Sequence, residues 1–262
     1  MEQRESNLIP VSGSAWHGVR YGCTTRYGGV STGPWGSMNL GLRSGDDEQA
    51  VRENRRLLAA ILPGEPFWLR QVHGTRVVEV GSDAPQDLSA QAEFAARAEP
   101  EADAAITLER GRVLAILTAD CAPVVIADTQ GRAVAAAHAG WRGLAAGVLE
   151  ATLQALRARL SGDATWRAWV GPCIGQASFE VGEEVREAFV AQDAVTAQYF
   201  AAGVRPGKWQ ADLAGLARHR LLAAGVQHVE IAGLCTYERD DVFFSYRRVQ
   251  RSGRMATLAW LE

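Results

Sequence analysis

The 262-residue sequence predicts an α/β (α+β) protein, and three observations carry that prediction. Between Ala104 and His138 lie apolar runs too short for helices, each broken by turn residues. A helical pattern follows at once, with Leu144, Val148, Leu149, Leu153, Leu156 and Leu160 on one face. No repeat, low-complexity tract or linker interrupts the chain, so residues 1–262 read as a single domain.

The elements follow in order. Trp16 to Thr25 reads as a strand, and Arg26-Tyr27-Gly28-Gly29 opens a glycine-rich loop that runs on through Asn39-Leu40-Gly41. A helix is expected from Asp46 to Leu62: acids open it, Val51, Leu57, Leu58 and Ile61 recur at helical spacing, and Pro63-Gly64 stops it. Phe67 to Val72 and Arg76 to Val80 read as strands flanking a turn at His73-Gly74, and polar Ser82 to Pro100 reads as a surface excursion. Val113 to Leu117, Val124 to Ala127 and Arg132 to Ala137 read as strands; their unbroken apolarity predicts burial on both faces. One helix is expected from just after His138 to Leu160. A strand over Trp166 to Val170, helices over Val181 to Ala191 and Ala211 to Ala223, and a strand over Val226 to Gly233 follow. Val242 to Tyr246 and Met255 to Leu261 read as a closing hairpin.

Composition excludes several function classes. Hydrophobic content of 47% with 22% charged residues is ordinary for a globular protein with a sizeable core. A net charge of −3 offers no basic excess for a phosphate backbone, so nucleic acid is not an expected partner. The stretch from Met1 to Trp16 is charged at Glu2, Arg4 and Glu5, and the longest apolar runs are too short for a bilayer. No membrane association is expected, and the sequence reads as cytoplasmic. Cys23, Cys121, Cys173 and Cys235 are widely spaced without a CxxC pair, which predicts thiols rather than disulfides or a four-cysteine zinc site.

Two histidines and one cysteine stand out against this background. They lie in Gln71-Val72-His73-Gly74, Thr118-Ala119-Asp120-Cys121-Ala122-Pro123 and Ala137-His138-Ala139-Gly140-Trp141-Arg142-Gly143. Each sits at a glycine-bearing turn or where an apolar run ends, the places from which side chains reach clefts. Taken singly, a buried cysteine or a backbone-bonded histidine is the plainer reading of each. Taken together they suit two chemistries. Imidazole and thiolate are ligands for zinc, and three protein ligands leave a fourth position open. The same residues would also serve as a Cys–His nucleophile with a second histidine nearby. Small residues and glycines around His138 permit close approach of a ligand, and Arg142 adds a fixed positive charge at an expected helix start. The glycine-rich loop has neither Walker nor dinucleotide spacing; its functional reading is a lid carrying Arg26 and Asn39 towards a small anionic or ribose-bearing ligand. Cys173, in Gly171-Pro172-Cys173-Ile174-Gly175, is a second-tier candidate. Cys23 and Cys235 read as inert, and His17, His219 and His228 as structural or surface residues.

The strings TTRYGGVS, NLG, QVHG, TADCAPV, AAAHAGWRG, GPCIG and FFSYRR, in this order and across nearly the whole chain, resemble the laccase-domain or polyphenol-oxidase-like proteins. That family is described as zinc-containing purine nucleoside phosphorylases. The resemblance implies that His73, Cys121 and His138 hold one zinc ion. It also implies phosphorolysis of adenosine, inosine, guanosine and S-methyl-5′-thioadenosine, together with adenosine deamination. The implied fold is a layered α/β/β/α arrangement, similar to a toxin deamidase domain with a Cys–His pair. Arg26 and Asn39 fall in the first motif and are implied ligand contacts, with a purine nucleoside and phosphate as partners. Some members are implicated instead as amidases that edit peptidoglycan precursors. Asp120 is the expected proton shuttle, Arg26 or Arg142 the expected phosphate contact, and Tyr27 or Trp141 a candidate for stacking the purine. Copper is not expected, because a multicopper cluster needs many histidines, largely as HxH pairs. This chain has five histidines and no such pair. A non-catalytic nucleoside-binding module is a third reading, against which an open three-ligand site argues.

Overall fold

A computed structural model describes residues 8–81, 99–160 and 162–262. Its strands and helices in chain order are β1 (Val19–Cys23), α1 (Glu48–Ala59), β2 (Val77–Glu79), β3 (Ala104–Thr107), β4 (Leu114–Thr118), β5 (Ala122–Asp128) and β6 (Val134–Ala139). Then come α2 (Trp141–Ala146), α3 (Val148–Arg159), β7 (Trp166–Val170), β8 (Glu180–Gly182) and α4 (Glu183–Val190). The chain closes with β9 (Phe200–Ala202), β10 (Lys208–Ala211), α5 (Leu213–Ala223), β11 (His228–Ile231) and β12 (Met255–Leu261).

A mixed six-stranded sheet, in the order β11-β7-β5-β6-β3-β2, forms the centre, and an antiparallel sheet β1-β12-β4 packs on one of its faces. The pleat explains why β5 and β6 are apolar at successive positions. Val124, Ile126, Ala135 and Ala137 enter a core with Leu149, Leu153 and Leu156 of α3 and Leu216 and Leu221 of α5. Val125, Ala127, Val134 and Ala136 point the other way, into a second core with Leu114, Ile116, Met255 and Ala259. The far face of the smaller sheet, through Ala115, Ala256 and Leu258, meets Leu58 of α1 in a third core. Helices, sheet, sheet and helix therefore stack as the resemblance implied, and each continuous apolar strand serves two interfaces. Among the described residues no helix is long and apolar enough to cross a membrane.

Several elements follow their local signals. Asp47 caps α1 by accepting from the Ala50 N–H, and Asp212 caps α5 through the Gly215 N–H. β7 covers the residues expected of it. Four expectations need correction. The single helix expected up to Leu160 is two, because Gly147 adopts φ +97° between α2 and α3, a left-handed conformation that ends one helix and redirects the next. Phe67 to Val72 makes only isolated bridges, Phe67 to Leu114 and Arg70 to Glu101. Its ladder is replaced by the Gln71 side chain, which donates to the Leu117 carbonyl and accepts from the Leu117 N–H, both at 2.8 Å. Val242 to Tyr246 is not a strand: Arg248 donates to the Phe243 carbonyl, and β12 pairs instead with β1 and β4. A third sheet, β8-β10-β9, replaces the beginning of the helix expected from Val181. The surface excursion expected over 82–100 lies, for residues 82–98, outside the described residues.

Candidate metal centre

Strand register brings the three ligands to one end of the six-stranded sheet. β5 and β6 are antiparallel, with Ala122 opposite Ala139 and Pro123 opposite His138. Cys121, one residue before β5, thus lies beside His138 near the end of β6. β3 pairs with β6, Ala104 opposite Ala137, and β2 lies outside β3. The turn preceding β2 carries His73 to the same end. The ligand atoms of His73, Cys121 and His138 all lie within 4.8 Å of one another. The Cys121 Sγ is 3.7 Å from the His73 Nε2, and the two imidazole rings meet edge-on with centroids 4.7 Å apart. Two donors at about 2.1 and 2.3 Å from a tetrahedral zinc subtend a similar span, so the donor set and its spacing fit that ion.

Asp103, immediately before β3, organises the centre, and it is absent from the sequence-based candidates. Its Oδ1 accepts from His138 Nδ1 at 2.8 Å and from the His73 backbone N–H at 2.9 Å. Its Oδ2 accepts from the backbone N–H groups of Val72 and Gly74 at 3.2 and 2.7 Å. The first contact commits Nδ1 of His138 and leaves Nε2 for an ion. The other three hold the turn that places His73 at φ +62°, a strained conformation for a non-glycine residue. The available sequence signal was an acid set against the apolar run Ala104-Ala105-Ile106, where an unpaired charge would be costly.

The electrostatics of the metal-free site follow from this packing. Burial raises the Cys121 thiol, but the His138 charge and bonds from both histidines outweigh it, bringing Cys121 down to about 6. Burial opposes the His138 imidazolium, yet the Cys121 thiolate and the Asp103 carboxylate raise it to about 9. The resting pair is a thiolate beside an imidazolium. His138 is buried, Cys121 half-buried and His73 exposed, so the centre opens to solvent on the His73 side. Gly140 lies directly against two of the ligands: a Cβ there would stand 2.6 Å from His73 Cδ2 and 3.0 Å from Cys121 Sγ.

The other expected site residues are held by contacts of their own. Asp120, at φ +99°, accepts from the Thr236 hydroxyl and from the Arg247 N–H, each at 2.7 Å. Both carboxylate oxygens are thereby engaged, tying the Cys121 segment to two C-terminal loops. Asn39 is fully buried; its amide donates to Ser44 Oγ and Asp46 Oδ2 and accepts from the N–H groups of Gly41 and Arg254. Arg26 donates to the carbonyls of Gly36 and Asp240 and lies over the Phe244 ring. Arg142 is exposed, two residues beyond Gly140, with its guanidinium 4.5 Å from the Trp141 ring centroid. Tyr27 is exposed and Trp141 packs partly into the helical core. Cys173 is buried, with its thiol pushed up by desolvation, and Cys235 Sγ accepts from the Gly175 N–H.

Residues 20–262 match the model of a family described as multi-copper polyphenol oxidoreductase laccase. The chain belongs to this family. Among similar laccase-family proteins, the purine nucleoside phosphorylase PA4543 of Pseudomonas aeruginosa is 48% identical over 244 residues, 93% of this chain and 94% of that one. The purine nucleoside phosphorylase YfiH of Escherichia coli is 44% identical over 259 residues, covering 98% and 99%. Among solved structures, Neisseria meningitidis protein NMB0706 superposes with a TM-score of 0.83 at 40% identity, covering 96% and 98% of the two chains. YlmD from Geobacillus stearothermophilus gives 0.82 at 30% identity, covering 98% and 99%. The laccase-family fold thus extends over the whole of the layered arrangement described above.

Proposed function

We propose that this protein is a zinc-dependent purine nucleoside phosphorylase acting on adenosine, inosine, guanosine and S-methyl-5′-thioadenosine, with adenosine deaminase activity at the same site. The observation that carries the proposal is the convergence of His73, Cys121 and His138 within 4.8 Å at one end of the central sheet. The similar Pseudomonas and Escherichia proteins are named purine nucleoside phosphorylases, which supports it. His73, Cys121 and His138 would hold the zinc, which would supply a Lewis acid. Copper clusters are disfavoured by ligand supply, since three residues form the only candidate group among the described residues.

In phosphorolysis the C1′–N9 bond breaks, a phosphate oxygen bonds to C1′, and the purine departs with a proton on a ring nitrogen. The part of this chain is to hold both reactants in line, with the phosphate anion set against the positive charge that develops at C1′. Asp103 orients His138 and the His73 turn, so the ligand set is preorganised. Asp120 fixes the Cys121 segment against Thr236 and Arg247. Arg26 and Arg142, bonded to no carboxylate among the described residues, are the candidates for phosphate contacts. Tyr27 is exposed and offers a stacking face for the base.

A second reading rests on a specific contact. Cys121, His138 and Asp103 together have the order of a nucleophile, its base and the orienting acid, which suits a metal-free amidase. Metal analysis of protein purified without added zinc, followed by inosine phosphorolysis with and without chelator, separates the two. Near-stoichiometric zinc and chelator-sensitive release of hypoxanthine is the expected result. Cys121→Ala is expected to lose zinc and base release together while melting close to the wild type. Wild-type base release by that variant would end the metal-site assignment.

A further inference from the structure

The arginines of this chain have their charge met in two ways. Arg52, Arg132, Arg205 and Arg239 each pair with an acid. Arg26, Arg248 and Arg254 instead donate to backbone carbonyls: Arg26 to Gly36 and Asp240, Arg248 to Thr236, Tyr237 and Phe243, Arg254 to Ser252 and Gly253. Arg251 lies over the Trp35 ring. Carbonyls and ring faces orient a guanidinium without neutralising it. These four guanidiniums keep their positive charge in a chain of net charge −3.

Arg254 is half-buried. It directly precedes β12, whose first residue, Met255, stands opposite Thr118, three residues before Cys121. Its backbone is pinned on both sides: the N–H donates to Asn39 Oδ1 at 2.9 Å, and the carbonyl accepts from Leu40 at 3.1 Å. Asn39 Oδ1, which also accepts from the Gly41 N–H, thus helps to place this residue. The Nη1 atom reaches the Ser252 and Gly253 carbonyls at 2.7 and 2.9 Å, and the guanidinium carbon lies 5.6 Å from the Tyr246 ring centroid. Burial weakens its hold on the proton, opposed by the charges of Cys121, Asp120 and Tyr246, the groups its own charge faces. A half-buried cation within electrostatic reach of Cys121, bonded to carbonyls and to no carboxylate, is suited to an anion.

We propose that Arg254 is a further anion-binding residue of this centre, additional to Arg26 and Arg142, taking a phosphate oxyanion between its guanidinium and the His73–Cys121–His138 group. The proposal rests on the phosphorylase reading and deepens it. The oxyanion has two sources, free inorganic phosphate or the phosphate ester of a nucleotide.

The experiment compares zinc-loaded wild type with Arg254→Met and Arg254→Lys, after melting curves and zinc content establish that each is folded and loaded. With inosine saturating and phosphate varied, Arg254→Met is expected to raise the KM for phosphate by about tenfold or more, since a charge-assisted fork is lost. Arg254→Lys is expected to fall between, and the KM for inosine at saturating phosphate to stay within about twofold. A folded, zinc-loaded Arg254→Met with the wild-type phosphate KM overturns the proposal. If the wild type itself fails to cleave inosine, the phosphorylase reading fails separately, and calorimetric titration still judges Arg254. Binding of inorganic phosphate by the wild type but not by Arg254→Met supports the assignment. Binding of adenosine 5′-monophosphate alone, again dependent on Arg254, supports it with the ester as source. Binding of neither anion, or equal binding by wild type and variant, rejects it.

Discussion

Asp103 spends both carboxylate oxygens on the metal centre, one on the His138 ring and His73 backbone, the other on the N–H groups of Val72 and Gly74. Removing it frees one ligand to rotate and releases the strained turn that carries another. Asp103→Ala is expected to weaken zinc binding by about 10–100-fold, measured by competition with a chromophoric chelator. Unchanged affinity would reduce Asp103 to a folding residue. Cys121 offers a second test at this scale, in metal-stripped protein. Its thiol is held down at about 6, so the thiolate is present above that pH and is lost as pH falls through it. Alkylation of Cys121 should therefore reach its plateau near neutrality. A rate still climbing up to pH 9 would mean that His138 does not stabilise the thiolate.

At the scale of elements, the decisive feature is how closely the start of α2 approaches the ligands. Gly140 caps that helix, and its missing side chain is what lets His73 and Cys121 share one space. Gly140→Ala puts a methyl within 2.6 Å of an imidazole carbon, a contact relieved only by moving the ring or the helix. The expected result is a drop in zinc affinity of about tenfold or more, with a stability loss of about 1–3 kcal/mol read from denaturant midpoints. Wild-type affinity would show that the His73 turn yields freely. Gly147 acts on the same region by another route. The hydrophobic spacing of Leu144 through Leu160 reads as one helix, and that spacing is preserved across the break. Periodicity records which face is buried, whereas the break is a backbone event at one residue.

For the whole molecule, the central sheet serves as the shared wall of two cores. Ile126 faces α3 and α5, whereas Val125, its neighbour, faces the smaller sheet. Ile126→Ala is expected to cost about 2–5 kcal/mol of stability while zinc stoichiometry stays at the wild-type value. Loss of zinc from the folded variant would show that helix packing and ligand geometry are coupled. The layering itself was partly legible. Unbroken apolarity from Val124 to Ala127 and from Val134 to Ala137 signalled strands covered on both sides. The small sheet of β8, β10 and β9 left no such trace, because strands of three or four residues with mixed burial carry no periodicity.

The sequence alone determined which side chains are chemically able to hold an ion, and that each stands where an apolar run or turn ends. Residue identity and local pattern are properties of the chain, and they sufficed to single out His73, Cys121 and His138. Tertiary structure decided what supports them. Asp103 reaches His138 because β3 pairs with β6, and Asn39 meets Arg254 because the first loop lies against the approach to β12. Both pairs join positions far apart along the chain, whose proximity is set by strand pairing and not by spacing. Only the folded register brings their donors and acceptors within bonding distance.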